Sequence, residues 1–486
     1  MSDMPYLVRA RYLVPLDERN RAARIEDGYV LTLRGSIAEV GAYDAAVGER
    51  LSARFGEALV VLGRKPGMTD VPLLEGILLP GFIKAHGHDH ESPIIGIAKD
   101  EPLTSWLDHA VNAFTSFMSS ERETLTKAFG KPPQLVAYLK ARLDDTMFGI
   151  TSSMVHHCNH NKYTVAEIVE SNRLAGTNMT IAVGSQDRHY YEAILDRPEQ
   201  AVARLDGYYA RFKDVPRCRL VPGPDQFFSN GPDMLRALKR WAVEHDTFVH
   251  IHSSEEPNTT KWFRDTYGMT PVEYGVEIGF IDDRAILAHQ VNCTDRDLEL
   301  LRDHGAKVVH NPLANTILGS GMPPVLRMLE MGIPVAISTD GSGSADNQNI
   351  LAAARLASQY QKALHQDASV LPAQQVLEMI TVVPAGMLGL NAGCLSPGRD
   401  ADLVLIDTAT PNLTPTRLDN CVENLVWAST GAETRYVMAN GELLVDDYQY
   451  VKLNRDEILD QVQELSERMA AHIRRAPEIR GTGAHR

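Results

Sequence analysis

Two histidines one residue apart, His86 and His88 in LPGFIKAHGHDH, follow an apolar run from Ile77 to Ile83 that reads as one buried strand. Alternate side chains of a strand share a face, so both imidazoles can reach one metal ion where the strand ends, with Gly87 leaving room beside them. Alone, the pair is equally compatible with a chance cluster of surface histidines, to which His90 would belong. Further along, FVHIHSSEE carries His252 at a strand terminus and Glu255 three residues on. AILAHQ ends at His289, AKVVHNP at His310 and IPVAISTDG at Asp340. Any one of these has the plain reading of a hydrogen-bonded structural residue. Their recurrence at strand ends points to a shared centre of imidazoles and carboxylates, fit for metal binding and proton transfer.

The elements that carry these residues alternate. Apolar strands (FVHIH, AILAHQ, AKVVHN, IPVAISTD) are separated by helical stretches such as NGPDMLRALKRWAVEH and CTDRDLELLRDHG, which specifies a parallel sheet and favours a closed (β/α)8 barrel. Residues 5–62 instead show short apolar runs between turn residues, the pattern of a small antiparallel sheet in which no helix of useful length fits. GRDADLVLID, NLVWAST and RYVMANGELLVDD repeat that pattern near the other end, with Asn440-Gly441 as a hairpin turn. The expected organisation is a composite β-sandwich from residues 1–76 and 392–453, a barrel over 77–391, and a C-terminal helix and tail over 454–486. NRDEILDQVQELSERMAAHIRR has apolar residues at helical spacing, and the closing GTGAHR is expected to fray.

A chain of 486 residues with 44% hydrophobic and 23% charged residues has the composition of a folded globular protein. Acidic residues outnumber basic ones 63 to 48, a formal charge of −15, which argues against a nucleic-acid or anionic-membrane partner. The five cysteines are scattered, odd in number and free of CxxC pairing, so neither a disulfide framework nor a thiolate zinc site is indicated. With no signal-peptide core and no spanning apolar segment, the expected compartment is the cytoplasm.

The succession PGFIKAHGH, HIHSSE, AHQVNCTDRDLELLRDHGAKVVHNPLANTILGSG and STDG resembles the amidohydrolase superfamily. More narrowly it is similar to the branch of adenosine-type and guanine-type deaminases, S-adenosylhomocysteine and methylthioadenosine deaminases, and triazine hydrolases; GIAKDEPLTSWLDHAV matches that branch after strand 1. The resemblance implies a distorted (β/α)8 barrel with a β-sandwich from both chain ends, and one divalent ion, Zn or Fe(II), at the barrel mouth. It implies His86, His88, His252 and Asp340 as ligands, a donor set that suits a borderline ion and leaves a position for water. It also implies that Asp340 shuttles a proton, that Glu255 protonates a ring nitrogen, and that His289 hydrogen-bonds the nucleophile or serves as a further ligand. His310 and Asn315 correspond to a structural and substrate-side element. Two-metal relatives carry a lysine at the end of strand 4; CRLVPGPDQFF has none, hence one ion.

One departure concerns specificity. Adenosine-type members carry a histidine after strand 4, where this chain has Gly223 or Pro224. Asp225, Gln226, Phe227 and Phe228 are candidates to replace that contact, the aromatics by stacking and the polar groups by reading a ring edge; Phe227 and Phe228 read equally as core. Trp106 and Asp108 are further substrate-side candidates. His109, His156, His157 and His160 read as structural, although HHCNH lies near enough to the barrel mouth to line a pocket. The leading expectation is a deaminase that releases ammonia from a purine, pterin or related ring. Alternatives are hydrolysis of a chlorinated triazine or of a urea, carbamate or amide bond, and, more remotely, a non-catalytic scaffold. The partners expected are a small heterocyclic substrate and further copies of the chain, as a homodimer or larger homo-oligomer.

Overall fold

The computed structural model describes residues 4–97 and 100–475; GTGAHR, expected to fray, lies outside them. Eight strands build the barrel: β1 Phe82–Lys84, β2 Ile150–His157, β3 Asn178–Ser185, β4 Cys218–Pro224, β5 Val249–Ser253, β6 Ala285–His289, β7 Lys307–His310 and β8 Val335–Ile337. β5, β6 and β8 are buried at every residue, as strands covered on both faces must be. The distortion lies in the hydrogen bonding, which joins β1-β2-β3-β4 and β5-β6-β7-β8 as two separate sets. Between β4 and β5 a single bridge pairs Gln226 with His252. Between β8 and β1 the link lies just past the strands: the Ser338 hydroxyl accepts from the His86 backbone N–H at 3.1 Å and donates to the His86 carbonyl at 2.7 Å.

Helices between the strands start where local chemistry satisfies their first N–H groups. After β6, the Thr294 hydroxyl accepts from the Asp297 N–H, and the Asp297 carboxylate accepts in return from Thr294 N–H, opening Asp295–Asp303. After β5, Glu256 caps Pro257–Tyr267 by accepting from Thr259 N–H at 3.0 Å. The C-terminal helix Arg455–Arg475 buries Ile458, Val462, Leu465 and Met469, a stripe at helical spacing. No helix among the described residues is long and apolar enough to cross a membrane.

Both chain ends supply the β-sandwich domain, whose nine strands share one hydrogen-bonded order. Gln449–Tyr450, Glu442–Asp446, Thr434–Ala439, Leu403–Asp407, Leu74–Pro80, Tyr6–Leu13, Ile25–Leu33 and Ser36–Ala42 follow in turn, and Val60–Val61 pairs with Tyr6–Leu13. Side chains alternate between its faces: Val8, Ala10 and Val30 enter one apolar cluster, Leu7, Tyr29 and Leu31 another.

Three expectations are corrected. NLVWAST, expected to continue the short-strand pattern, falls at the end of a helix, Cys421–Ala428. The apolar run Ile77–Ile83 is not one strand but two, Leu74–Pro80 in the sandwich and β1 in the barrel. They part at Gly81, where a Cβ would stand 2.3 Å from the Thr151 side chain. The N-terminal segment also contains a helix, Ala45–Phe55, capped by Asp44, which accepts from Val47 N–H at 2.9 Å. It buries only Gly48 and Leu51, too few apolar positions to leave a helical period in the sequence.

By packing, residues 4–84, 144–152 and 349–453 form one compact unit, and residues 85–143, 153–348 and 454–475 another. Every side chain of the candidate site belongs to the second.

Candidate active site

His86 and His88 lie just past β1, and His252 is the penultimate residue of β5. Their orientation is fixed from behind. The Nδ1 of His88 is 3.0 Å from the His156 carbonyl, and the Nδ1 of His252 is 2.7 Å from the Asp225 carbonyl. A carbonyl only accepts, so each Nδ1 carries the proton and each Nε2 presents a lone pair. Those two Nε2 atoms face one another at 3.0 Å. Two lone pairs so placed repel unless a cation lies between them, and burial, reinforced by His86, pushes the His88 pKa well below its ordinary value, so an imidazolium does not relieve the conflict. Asp340 Oδ1 stands 3.3 Å from His86 Nε2 and 3.5 Å from His88 Nε2. Ligand atoms around a tetrahedral zinc at about 2.0–2.1 Å are separated by about 3.3 Å. The donor set and spacing therefore fit one divalent ion. Of the pairs among His86, His88, His252 and Asp340, all but His252 with Asp340 fall inside clusters whose ligand atoms lie within 4.8 Å of one another. His289 joins the cluster of His86 and His252.

The proton-handling groups adjoin this set. His289, last residue of β6, points Nδ1 at Asn315 Oδ1 (2.9 Å), leaving Nε2 3.4 Å from Glu255 Oε2 and 3.7 Å from Asp340 Oδ2. Burial pulls the His289 pKa down to about 4, so its contacts with the carboxylates are those of a neutral ring. Burial, with Asp340 adding repulsion, pushes the Glu255 carboxyl well above the usual range, which suits a group that holds a proton ready to give. Asp340 lies three residues beyond β8 at φ 68°, and Ser254, His289 and Gln290 also have positive φ (51°, 77° and 53°). Side-chain-bearing residues avoid this region, and here the strain is concentrated at strand ends that aim the reactive groups.

A cavity adjoins the cluster, with His88, His252, Glu255, His289 and Asp340 in its wall. Leu103, Trp106, Leu107 and Val111 give it an apolar side; Asn159, Tyr190, Asp225 and Gln226 supply polar groups. Of the proposed substrate contacts, Trp106 and Gln226 line this space, whereas Phe227 and His310 do not. Gln226 lines the cavity, and the next side chain leaves it: Phe227 packs in an aromatic cluster with its ring 5.6 Å from Phe280, next to Phe263 and Tyr274. His310 is wholly buried in the barrel, where burial takes its pKa to about 3.

Among the lining residues that the sequence did not single out for the site are Tyr190, Cys158 and Glu91. Tyr190, from the segment after β3, donates to Asp225 Oδ2 at 2.7 Å. Cys158 follows the two histidines of β2, inside the HHCNH stretch whose proximity to a pocket was legible. Glu91 ends the HGHDHE run, and its Oε2 accepts from Gly343 N–H (3.2 Å), Ser344 N–H (3.1 Å) and the Ser344 hydroxyl (3.1 Å). Its place directly after the histidine run was the available signal.

The pattern of the amidohydrolase family matches residues 77–444. A 5'-deoxyadenosine deaminase from Methanothermobacter thermautotrophicus is 30% identical over 413 residues, covering 84% of this chain and 90% of that protein. Among solved structures, a zinc-bound adenosine deaminase from Xanthomonas campestris superposes with a TM-score of 0.81 at 22% identity, covering 96% of this chain and 98% of that one. An atrazine chlorohydrolase from Arthrobacter aurescens, complexed with zinc, gives 0.82 at 22% identity, over 95% of this chain and 100% of that one.

Proposed function

The chain belongs to the amidohydrolase family, and on that premise we propose that it is a metal-dependent aminohydrolase, replacing an exocyclic amino group of a purine-like or pterin-like ring with oxygen and releasing ammonia. The observation that carries this reading is the pair of inward lone pairs on His88 and His252, with Asp340, Glu255 and His289 meeting at the same cavity wall. His86, His88, His252 and Asp340 hold a single catalytic divalent ion, zinc in the first place, with Fe(II) acceptable to the same ligands. When bound, the ion supplies Lewis acidity that makes hydroxide available near neutral pH. Asp340 takes the proton of the attacking water and passes it to the departing amine. Glu255 protonates the ring nitrogen next to the attacked carbon, drawing electrons from it. His289, its Nδ1–H held by Asn315 Oδ1, keeps the Nε2 lone pair turned to the reaction centre, where it accepts from the attacking water. Trp106 covers a ring face and Gln226 reads its edge. Lys84 and Lys162, buried near strand ends, are paired with Asp145 (2.7 Å) and Asp196 (2.6 Å), so neither stands in for the bridging lysine of two-metal relatives.

Ammonia release by the zinc-loaded protein across a panel of aminopurines and aminopterins tests the proposal; at least one ring is expected to turn over. A silent panel beside turnover of a chlorinated triazine or a carbamate would replace the deaminase reading with the second one. That reading draws on the likeness to the atrazine chlorohydrolase and on Gly223 and Pro224 standing where adenosine-type relatives carry a histidine. A cytoplasmic setting suits the five free cysteines, and homodimer assembly belongs to the same proposal. A single-chain mass by light scattering would remove the dimer.

A further inference from the structure

Cys158 has no part in the chemistry proposed above, yet it stands at the end of β2, in the cavity wall, surrounded by side chains that bind metals. Its Sγ, a ring nitrogen of His156 and a carboxylate oxygen of Asp225 all lie within 4.8 Å of one another, and all three residues are buried. Ring nitrogens of His90 and His88 lie within the same distance of Sγ, and one of His156 within that distance of His88 and His252, so the cluster borders the ligands of the first centre. Among the described residues, neither ring nitrogen of His156 or of His90 has a hydrogen-bond partner, although both side chains are fully buried. Leaving a buried polar atom unmade costs about 1–3 kcal/mol, so these nitrogens point to a missing ligand.

We propose that His156, Cys158 and Asp225, with His90 alongside, form a second site for a soft divalent ion, zinc above all, whose occupancy inhibits the enzyme. A thiolate, an imidazole and a carboxylate are a donor set that selects such ions. On binding, the Cys158 thiol loses its proton to solvent. Thiolate and Asp225 then offset both charges of the ion, which the first centre, with one carboxylate, does not do for its own. Ligand atoms around bound zinc lie about 3.3–3.6 Å apart, so the cluster needs to contract by no more than about 1.5 Å. Inhibition follows from the neighbours. The Asp225 carbonyl orients His252 and its carboxylate receives Tyr190, so drawing Asp225 onto an ion disturbs a ligand of the catalytic centre and fills part of the cavity. This site is additional to the catalytic ion, and its ligands come from β2 and the end of β4.

Cadmium is the probe, because its thiolate complexes have an ultraviolet charge-transfer band. No other cysteine among the described residues belongs to such a cluster. Holoenzyme carrying one equivalent of zinc, titrated with cadmium chloride, is expected to take up one further equivalent with growth of that band. Turnover should fall at least about tenfold and return after brief chelation. Cys158→Ser and Cys158→Ala should show no band and keep their own starting activity under the same cadmium. The proposal is overturned by no band in the wild type, by a band that persists in both variants, by a band without loss of turnover, or by equal inhibition of wild type and variants. The band is read without substrate, so failure of the deaminase assignment would leave it standing.

Discussion

Glu91→Ala is the most informative single change outside the proposed ligand set. One oxygen of Glu91 receives both backbone N–H groups of Gly343 and Ser344 and the Ser344 hydroxyl, and so holds the segment that follows Asp340. The fit is tight: a Cβ on Gly341 would come within 1.9 Å of the same oxygen. Alanine leaves two buried N–H donors without an acceptor, at about 1–3 kcal/mol each, or about 2–6 kcal/mol in the order of residues 341–344. Asp340 already sits at positive φ and depends on its neighbours to stay there. A shift of its carboxylate by about 1 Å is expected to lower kcat on the order of 10²-fold with a smaller change in KM. Glu91→Gln keeps an acceptor oxygen in the same place and should recover most of that loss. Steady-state kinetics at matched metal content, with thermal unfolding alongside, reads the outcome. If Glu91→Ala keeps kcat within about twofold with unchanged unfolding, the clasp does not position Asp340 and the reasoning fails.

Asp340→Asn should lower kcat by about 10²–10⁴-fold even where metal is retained, since the amide cannot shuttle a proton; near-normal turnover would end that assignment. Glu255→Gln should cost a similar factor on a heterocycle but far less on a chlorinated substrate that needs no ring protonation, a contrast measured with the two substrate classes side by side. Stripping the metal should lower stability by about 2.7 kcal/mol when the ion had been present at about 100 times its Kd, and an unchanged melting temperature after verified removal would contradict a site that binds only the folded chain. His90 and His310, both taken by burial to about 3, set a pH dependence. Their folded pKa values lie below the unfolded value of about 6.5, so below pH 6.5 the unfolded chain binds protons that the folded one refuses. Stability should fall with pH from about 6.5 toward 3, by about 1.4 kcal/mol per pH unit for each group, and urea unfolding at pH 7, 6 and 5 that showed no decline would refute it.

Much of the candidate site was legible because its residues sit at strand ends, where a polar side chain interrupts an apolar run: His252, His289 and Asp340 all stand out this way. What escaped depended on side-chain direction or on contacts distant in sequence. Phe227 and Gln226 are adjacent and looked alike as pocket candidates, but successive side chains diverge, and only Gln226 faces the cavity. Tyr190 and Glu91 earn their places through partners 35 and about 252 residues away, which no local pattern records. The break at Gly81 was invisible for a related reason: the run Ile77–Ile83 is apolar throughout, and the crowding that divides it comes from Thr151.

The division of the barrel wall into two hydrogen-bonded sets gives the metal a mechanical meaning. His86 and His88 stand on the half made by β1 to β4, while His252 and Asp340 stand on the half made by β5 to β8. Among the described residues, apart from the bridge of Gln226 to His252 and the hydroxyl of Ser338, the halves meet at their seams without a ladder. An ion bound by all four residues is thus a rivet through both plates. Its loss should loosen the seams before the strands, so amide hydrogens near Ser338 and Gln226 would exchange early in the metal-free protein while those inside β6 and β7 stay protected.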